Sequence, residues 1–157
     1  MSSVSFVSGN RSVGLNQFHL EWCPKYRKAL LVGGVRAFIE RNLMETAQKY
    51  NILIHAFEVA SDHVHLFVSL PFNLSVSGAF QLFKGRSSYA VFRAFPQLRT
   101  ILWGGHFWSP GKFGRSISNV KASTIQNYIK NHQTKELEQS IVEAKHEAAQ
   151  AKLCTYF

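Results

Sequence analysis

Hydrophobic and polar positions first alternate over residues 15–23. Phe18, Leu20 and Trp22 fall on one face, His19, Glu21 and Cys23 fall on the other, and Pro24 ends the run. A period of two marks a half-buried strand, and proline cannot continue a hydrogen-bonded ladder. Beyond Gly33-Gly34 the period lengthens. Val35, Phe38, Ile39, Leu43, Ala47 and Tyr50 form one stripe, with Arg36, Glu40, Arg41, Glu45 and Lys49 largely outside it. This predicts a helix of roughly four turns that ends near Asn51. Residues 52–60 read as a second strand. Ser61-Asp62 turns it into a third, which starts at Val64 and stops at Pro71, and so short a link predicts a β-hairpin. Ser75 then caps a second helix that buries Val76, Ala79, Phe80, Leu82 and Phe83. Lys84-Gly85-Arg86-Ser87-Ser88 interrupts the apolar pattern, and the helix resumes through Tyr89, Val91 and Phe92 before Pro96. Residues 102–113 read as strand, turn, strand, with the fourth strand near 112–117. Ser123 and Gln126 fit a capping box for a helix through Gln133. Residues 135–157 read as a helical or frayed tail, and residues 1–14 as a flexible start. The order β-α-β-β-α-β-α fits one domain over residues 1–157.

Composition narrows the class. At 157 residues, with 46% hydrophobic and 17% charged, the chain is long and apolar enough to bury one core and is not disordered. Cys23 and Cys154 are too few for a disulfide framework or a cysteine-based zinc site. No apolar run approaches the ~20 residues of a membrane helix, and the first residues lack the basic-then-apolar order of a signal peptide. A cytoplasmic protein is expected. Charge says more. Through Lys135 there are 16 Lys/Arg against 5 Asp/Glu, and between His63 and Lys135 there are nine basic residues and no carboxylate. Such a stretch repels itself unless an anion binds it, and nucleic acid is the natural one; a merely basic surface is the plainer alternative. Nucleases of the two-metal type need several carboxylates. The only aspartate is Asp62, so a metal here is expected to be held mainly by histidine and amide groups.

Two places carry candidate chemistry. On the third strand, His63, His65 and Phe67 share one face and Val64, Leu66 and Val68 the other. Two imidazoles so placed can grip one divalent ion, although a bare His-x-His also suits a half-exposed strand. Asp62 either joins the metal shell or caps the hairpin. On the last predicted helix, Tyr128 and His132 are ~40° apart around the axis and share a face, whereas Gln133 is ~140° from Tyr128. A phenol with a pKa of about 10 is a poor nucleophile until a metal or base activates it; a helical tyrosine equally suits a core. Lys25-Tyr26-Arg27-Lys28 is a phosphate contact or a solvated turn. Lys84, Arg86, Ser87 and Arg115 are further candidates for the DNA backbone. Trp103, Phe107 and Trp108 are stacking platforms for unpaired bases or core aromatics, with at least two of them expected in the core. His106 is expected to be structural.

His63-Val64-His65 after a tight hairpin resembles the HUH endonucleases, and specifically the single-tyrosine transposases of the insertion-sequence 200/605 family. The likeness extends, in order, over residues 18–27, 61–66, 74–88, 102–109 and Asn127-Tyr128-Ile129. It implies a ferredoxin-like α+β fold, an antiparallel sheet with helices on one face and a C-terminal helix bearing the tyrosine. It implies a single-strand DNA transesterase using Mg2+ or Mn2+, with His63 and His65 as ligands and Tyr128 attacking the scissile phosphate. The third ligand falls on His132, where the family usually has glutamine, with Gln133 as the alternative. A homodimer, with the tyrosine helix of one subunit serving the other, and single-stranded DNA with hairpin ends as substrate complete the picture. The same sequence also allows a domesticated nuclease of repeat hairpins, or a non-catalytic RNA- or single-strand-binding module.

Overall fold

The computed structural model describes residues 7–9 and 12–117. Two short strands, β1 (Val7–Gly9) and β2 (Ser12–Gly14), pair as an antiparallel ribbon within the stretch expected to be flexible. The main sheet is built from β3 (Gln17–Trp22), β4 (Leu53–Val59), β5 (Val64–Ser69) and β6 (Phe113–Ser116). Its order is β4-β5-β3-β6, with every neighbouring pair antiparallel. Helix α1 (Gly33–Lys49) connects β3 to β4, and α2 (Val76–Ala94) with the single turn α3 (Leu98–Ile101) connects β5 to β6. A β-α-β-β-α-β chain with its first and third main-sheet strands in the middle is the ferredoxin-like arrangement. The expected fold class is therefore observed; the expected tyrosine-bearing helix lies outside the described residues.

Alternation decides which face the helices cover. Leu20 and Trp22 of β3 and Val64, Leu66 and Val68 of β5 point into one core with Ile39, Leu43 and Ala47 of α1 and Ala79, Phe80 and Phe83 of α2. The Trp22 ring stacks on Phe83 and meets Phe80 and Trp108 edge-on. Asn51 ends α1 in the left-handed region, φ 54°, a conformation asparagine tolerates better than most residues. This turn lets the Ile52 N–H reach back to the Ala47 carbonyl at 2.9 Å.

Two expectations need correction. Residues 84–88 do not break α2, which runs unbroken from Val76 to Ala94. Tertiary bonds outweigh the poor helix propensity of Gly85, Ser87 and Ser88. Ser87 is fully buried; its hydroxyl donates to the Phe83 carbonyl and accepts from the Trp108 indole N–H at 2.8 Å. Ser87 is thereby ruled out as a phosphate contact. Ser87→Ala would leave that indole N–H buried without an acceptor, and urea denaturation is expected to show a loss of about 1–3 kcal/mol. Nor do residues 102–112 form strand, turn, strand. Leu98–Ile101 is helical, Gly104 and Gly105 turn with φ 86° and 71°, and Trp108 makes only an isolated bridge to Pro24.

Candidate metal and DNA-processing site

Strand register assembles the second face of the sheet. Glu58 of β4, His65 of β5, Glu21 of β3 and Phe113 of β6 lie in one cross-strand row. Ala56, Phe67, His19 and Arg115 make the next. His63 stands one residue before β5. It is held there by the hairpin, which closes through the Ala60 N–H to the His63 carbonyl at 2.9 Å. Three imidazoles therefore run side by side. The His63 and His65 ring centroids are 4.7 Å apart and nearly perpendicular, and His65 stacks on His19 at 5.1 Å.

Each histidine of the His-x-His pair is oriented through Nδ1. His63 Nδ1 lies 2.6 Å from Asp62 Oδ1, and Arg27 Nε donates to Asp62 Oδ2 at 3.0 Å. Burial pushes the Asp62 carboxyl up, but hydrogen bonds from His63 and Arg27 and their charges prevail and hold it below its ordinary value. It is ionised at neutral pH and only accepts, so His63 Nδ1 carries a hydrogen, and in the neutral imidazole, the form that can ligate a metal, the lone pair is on Nε2. Both Asp62 oxygens are engaged in this way, which makes Asp62 an orienting group for His63. His65, 2% exposed, has Nδ1 2.9 Å from His19 Nε2 and 3.6 Å from Glu21 Oε2. The nearby carboxylate favours the hydrogen on His65 Nδ1, which then donates to His19 and leaves Nε2 as the lone-pair nitrogen. These tautomers follow from the hydrogen-bond network. A donor set of imidazoles whose Nδ1 atoms are oriented by Asp62 and by His19 fits a divalent metal ion. His19, Glu21 and His65 also form a cluster whose ligand atoms lie within 4.8 Å of one another.

His19, Glu21 and Glu58 were absent from the expected site. Alternation had put His19 and Glu21 on the face of β3 away from Trp22, but nothing local states that β3 lies beside β5 in this register. Of the seven expected DNA contacts, Lys25 and Lys28 reach the carbonyls of Trp103 and Ile101, at 2.9 and 3.1 Å, and Arg27 holds Asp62. Arg115 shares the histidine face beside His19. Lys84 donates to the carbonyls of Ser109, Pro110 and Gly111, and Arg86 to the Thr46 hydroxyl, so both brace the fold. Phe107 and Trp108 are core residues, as expected for two of the three aromatics, and Trp103 is 83% exposed. Tyr128, His132 and Gln133 lie outside the described residues.

The chain and its fold are similar to known transposases. The family model described as "Transposase IS200 like" matches residues 12–132. The chain belongs to the IS200-like transposase family. It is 35% identical over 120 residues to the ISDra2 transposase TnpA of Deinococcus radiodurans, covering 76% of this chain and 86% of that protein. It is 30% identical over 120 residues to the transposase for insertion sequence element IS200 of Salmonella typhimurium, covering 76% and 78%. A crystal structure of a Deinococcus radiodurans protein assigned as a transposase superposes with a TM-score of 0.66 at 31% identity, over 81% of this chain and 98% of the other. The REP-associated tyrosine transposase bound to a REP hairpin shares the fold, with a TM-score of 0.56 at 16% identity over 78% and 69%. Among the described residues, no helix is long and apolar enough to cross a membrane.

Proposed function

We propose that the protein cuts and rejoins single-stranded DNA at hairpin-bearing element ends through a covalent tyrosine–DNA link. The observation that carries this reading is the His63–His65 pair, whose ring centroids lie 4.7 Å apart and whose Nδ1 atoms are each oriented by a neighbour, Asp62 at 2.6 Å and His19 at 2.9 Å. His63 and His65 would hold Mg2+ or Mn2+ with His132, or Gln133 in its place, as the third ligand. Bound there, such an ion supplies Lewis-acid polarisation of the scissile phosphate.

The Tyr128 oxygen attacks phosphorus, the phenol gives up its proton, and the P–O bond to the 3′-oxygen breaks. The departing oxygen takes up a proton as a free 3′-OH, and the 5′-phosphate stays on Tyr128. No water is consumed, so the phosphoester energy is kept for the return attack by another 3′-OH. Lys25, Arg27, Lys28 and Arg115 would be the cations that meet the backbone. In this reading two copies of the chain form the working unit, with the tyrosine helix of one completing the site of the other.

Labelled hairpin DNA with single-stranded flanks, incubated with protein and Mn2+ and run on a denaturing gel, tests the proposal. A covalent protein–DNA band is expected with the single strand and none with fully duplex DNA of the same sequence. Equal cutting of duplex, or cutting without a covalent band, would overturn it.

A further inference from the structure

We propose that Trp103, assisted by Tyr26, is a stacking platform for an unpaired base of the same strand whose phosphate lies at His63 and His65. The inference rests on the single-strand reading above and adds a binding site to it.

Of the three tryptophans, Trp22 and Trp108 are 0% and 5% exposed, whereas Trp103 is the most exposed large apolar side chain among the described residues. It is not an isolated surface residue. Lys25 Nζ donates to the Trp103 carbonyl at 2.9 Å and lies 5.2 Å from the centre of the half-exposed Tyr26 ring. Lys28 Nζ donates to the carbonyl of exposed Ile101 at 3.1 Å. Arg27, between them, bonds Asp62, which in turn holds His63. The 25–28 segment thus ties the backbone on either side of Trp103, through Lys25 and Lys28, to Asp62 and His63, through Arg27.

Its backbone is set in unusual conformations. Tyr26 and Arg27 both have positive φ, 60° and 50°, which non-glycine residues hold only when their surroundings impose it. Facing them, Gly104 turns with φ 86°, and a Cβ there would come within 3.0 Å of Lys25 Nζ. The two turns thus fix the backbone at Trp103 and the Lys25 ammonium relative to one another. The carboxylate bonded to this segment, Asp62, is already engaged by Arg27 and His63. Exposed aromatic rings among cations suit an anionic chain that also offers flat faces, which describes single-stranded nucleic acid.

The test uses the full-length protein and a fluorescein-labelled hairpin with a single-stranded thymidine flank, alongside the same hairpin with an abasic flank. Trp103→Ala is expected to weaken binding to the thymidine flank about 5- to 150-fold and to remove the preference over the abasic one. Trp103→Phe should keep most of both. Intrinsic fluorescence should be quenched on DNA binding in the wild type and not in Trp103→Phe, because the two buried tryptophans remain. Wild-type affinity and flank preference in Trp103→Ala, with the covalent band still formed by the parent, would overturn this inference alone. A parent protein that binds neither hairpin would overturn it together with the proposed function.

Discussion

Tyr128→Phe is expected to abolish the covalent protein–DNA band and all strand joining, with a loss on the order of 10⁴-fold or more, as when other enzymes lose their nucleophile. The substitution keeps the ring and removes only the attacking oxygen, so neither folding nor DNA affinity should change appreciably. That separation is what gives the variant its force. In the proposed reaction a metal ion held by the histidine pair would still polarise the phosphate, but without a protein oxygen to receive the 5′-phosphate the bond energy would be lost to water. Tyr128→Phe protein should therefore still titrate Mn2+ and shift hairpin DNA on a native gel. Cleavage persisting at more than a trace would mean that water or another side chain is the nucleophile.

The second large effect concerns the metal. His63→Ala is expected to lower Mn2+ affinity more than about 100-fold by calorimetric titration, whereas loss of an orienting partner, in Asp62→Asn or His19→Gln, should cost about 10- to 100-fold. His63 is the cleaner ligand to remove, since its side chain is 20% exposed at the start of β5 while that of His65 is 2% exposed. His65→Ala would also open a gap among His19, Glu21 and Phe67. The order of effects distinguishes two centres that share His65. If the ion instead occupied the cluster of His19, Glu21 and His65, then Glu21→Gln would be more damaging than His63→Ala. Within the last predicted helix, His132→Ala should weaken binding more than Gln133→Ala, because only His132 shares a helical face with Tyr128.

Much of the described fold could be read from local patterns. Alternation put Leu20 and Trp22 on one face of β3, and Val64, Leu66 and Val68 on the face of β5 opposite His65 and Phe67, and the structure packs those five residues into one core. The short Ser61-Asp62 link set the hairpin that pairs β4 with β5. What local pattern could not supply was the neighbour on the other side. β3 and β5 are separated by α1 and β4, and their register puts Glu21 opposite His65. The scarcity of acids was consequently misleading. Asp62 bonds His63, and the strand register sets Glu21 and Glu58 on either side of His65. Glu40 and Glu45 pair instead with Arg36 and Arg41 along α1.

The second helix fails in a related way. Gly85 and two serines read as a break because propensity is local, whereas the Trp108-to-Ser87 bond that rewards continuity joins residues 21 apart in sequence. The same bond explains why a serine in a basic run is absent from the exposed surface. Nor could sequence choose which aromatic of residues 102–108 stays outside. The paired glycines after Trp103 turn the chain so that Phe107 and Trp108 enter the core and Trp103 does not.

The claim at the centre of this account is that a protein tyrosine takes the 5′-phosphate of a single strand. Mass spectrometry of the covalent species after protease and nuclease digestion tests it most directly. The account expects a nucleotide joined through its 5′-phosphate to the peptide containing Tyr128, and no other modified peptide. A nucleotide on a different residue, or a linkage through a 3′-phosphate, would contradict it.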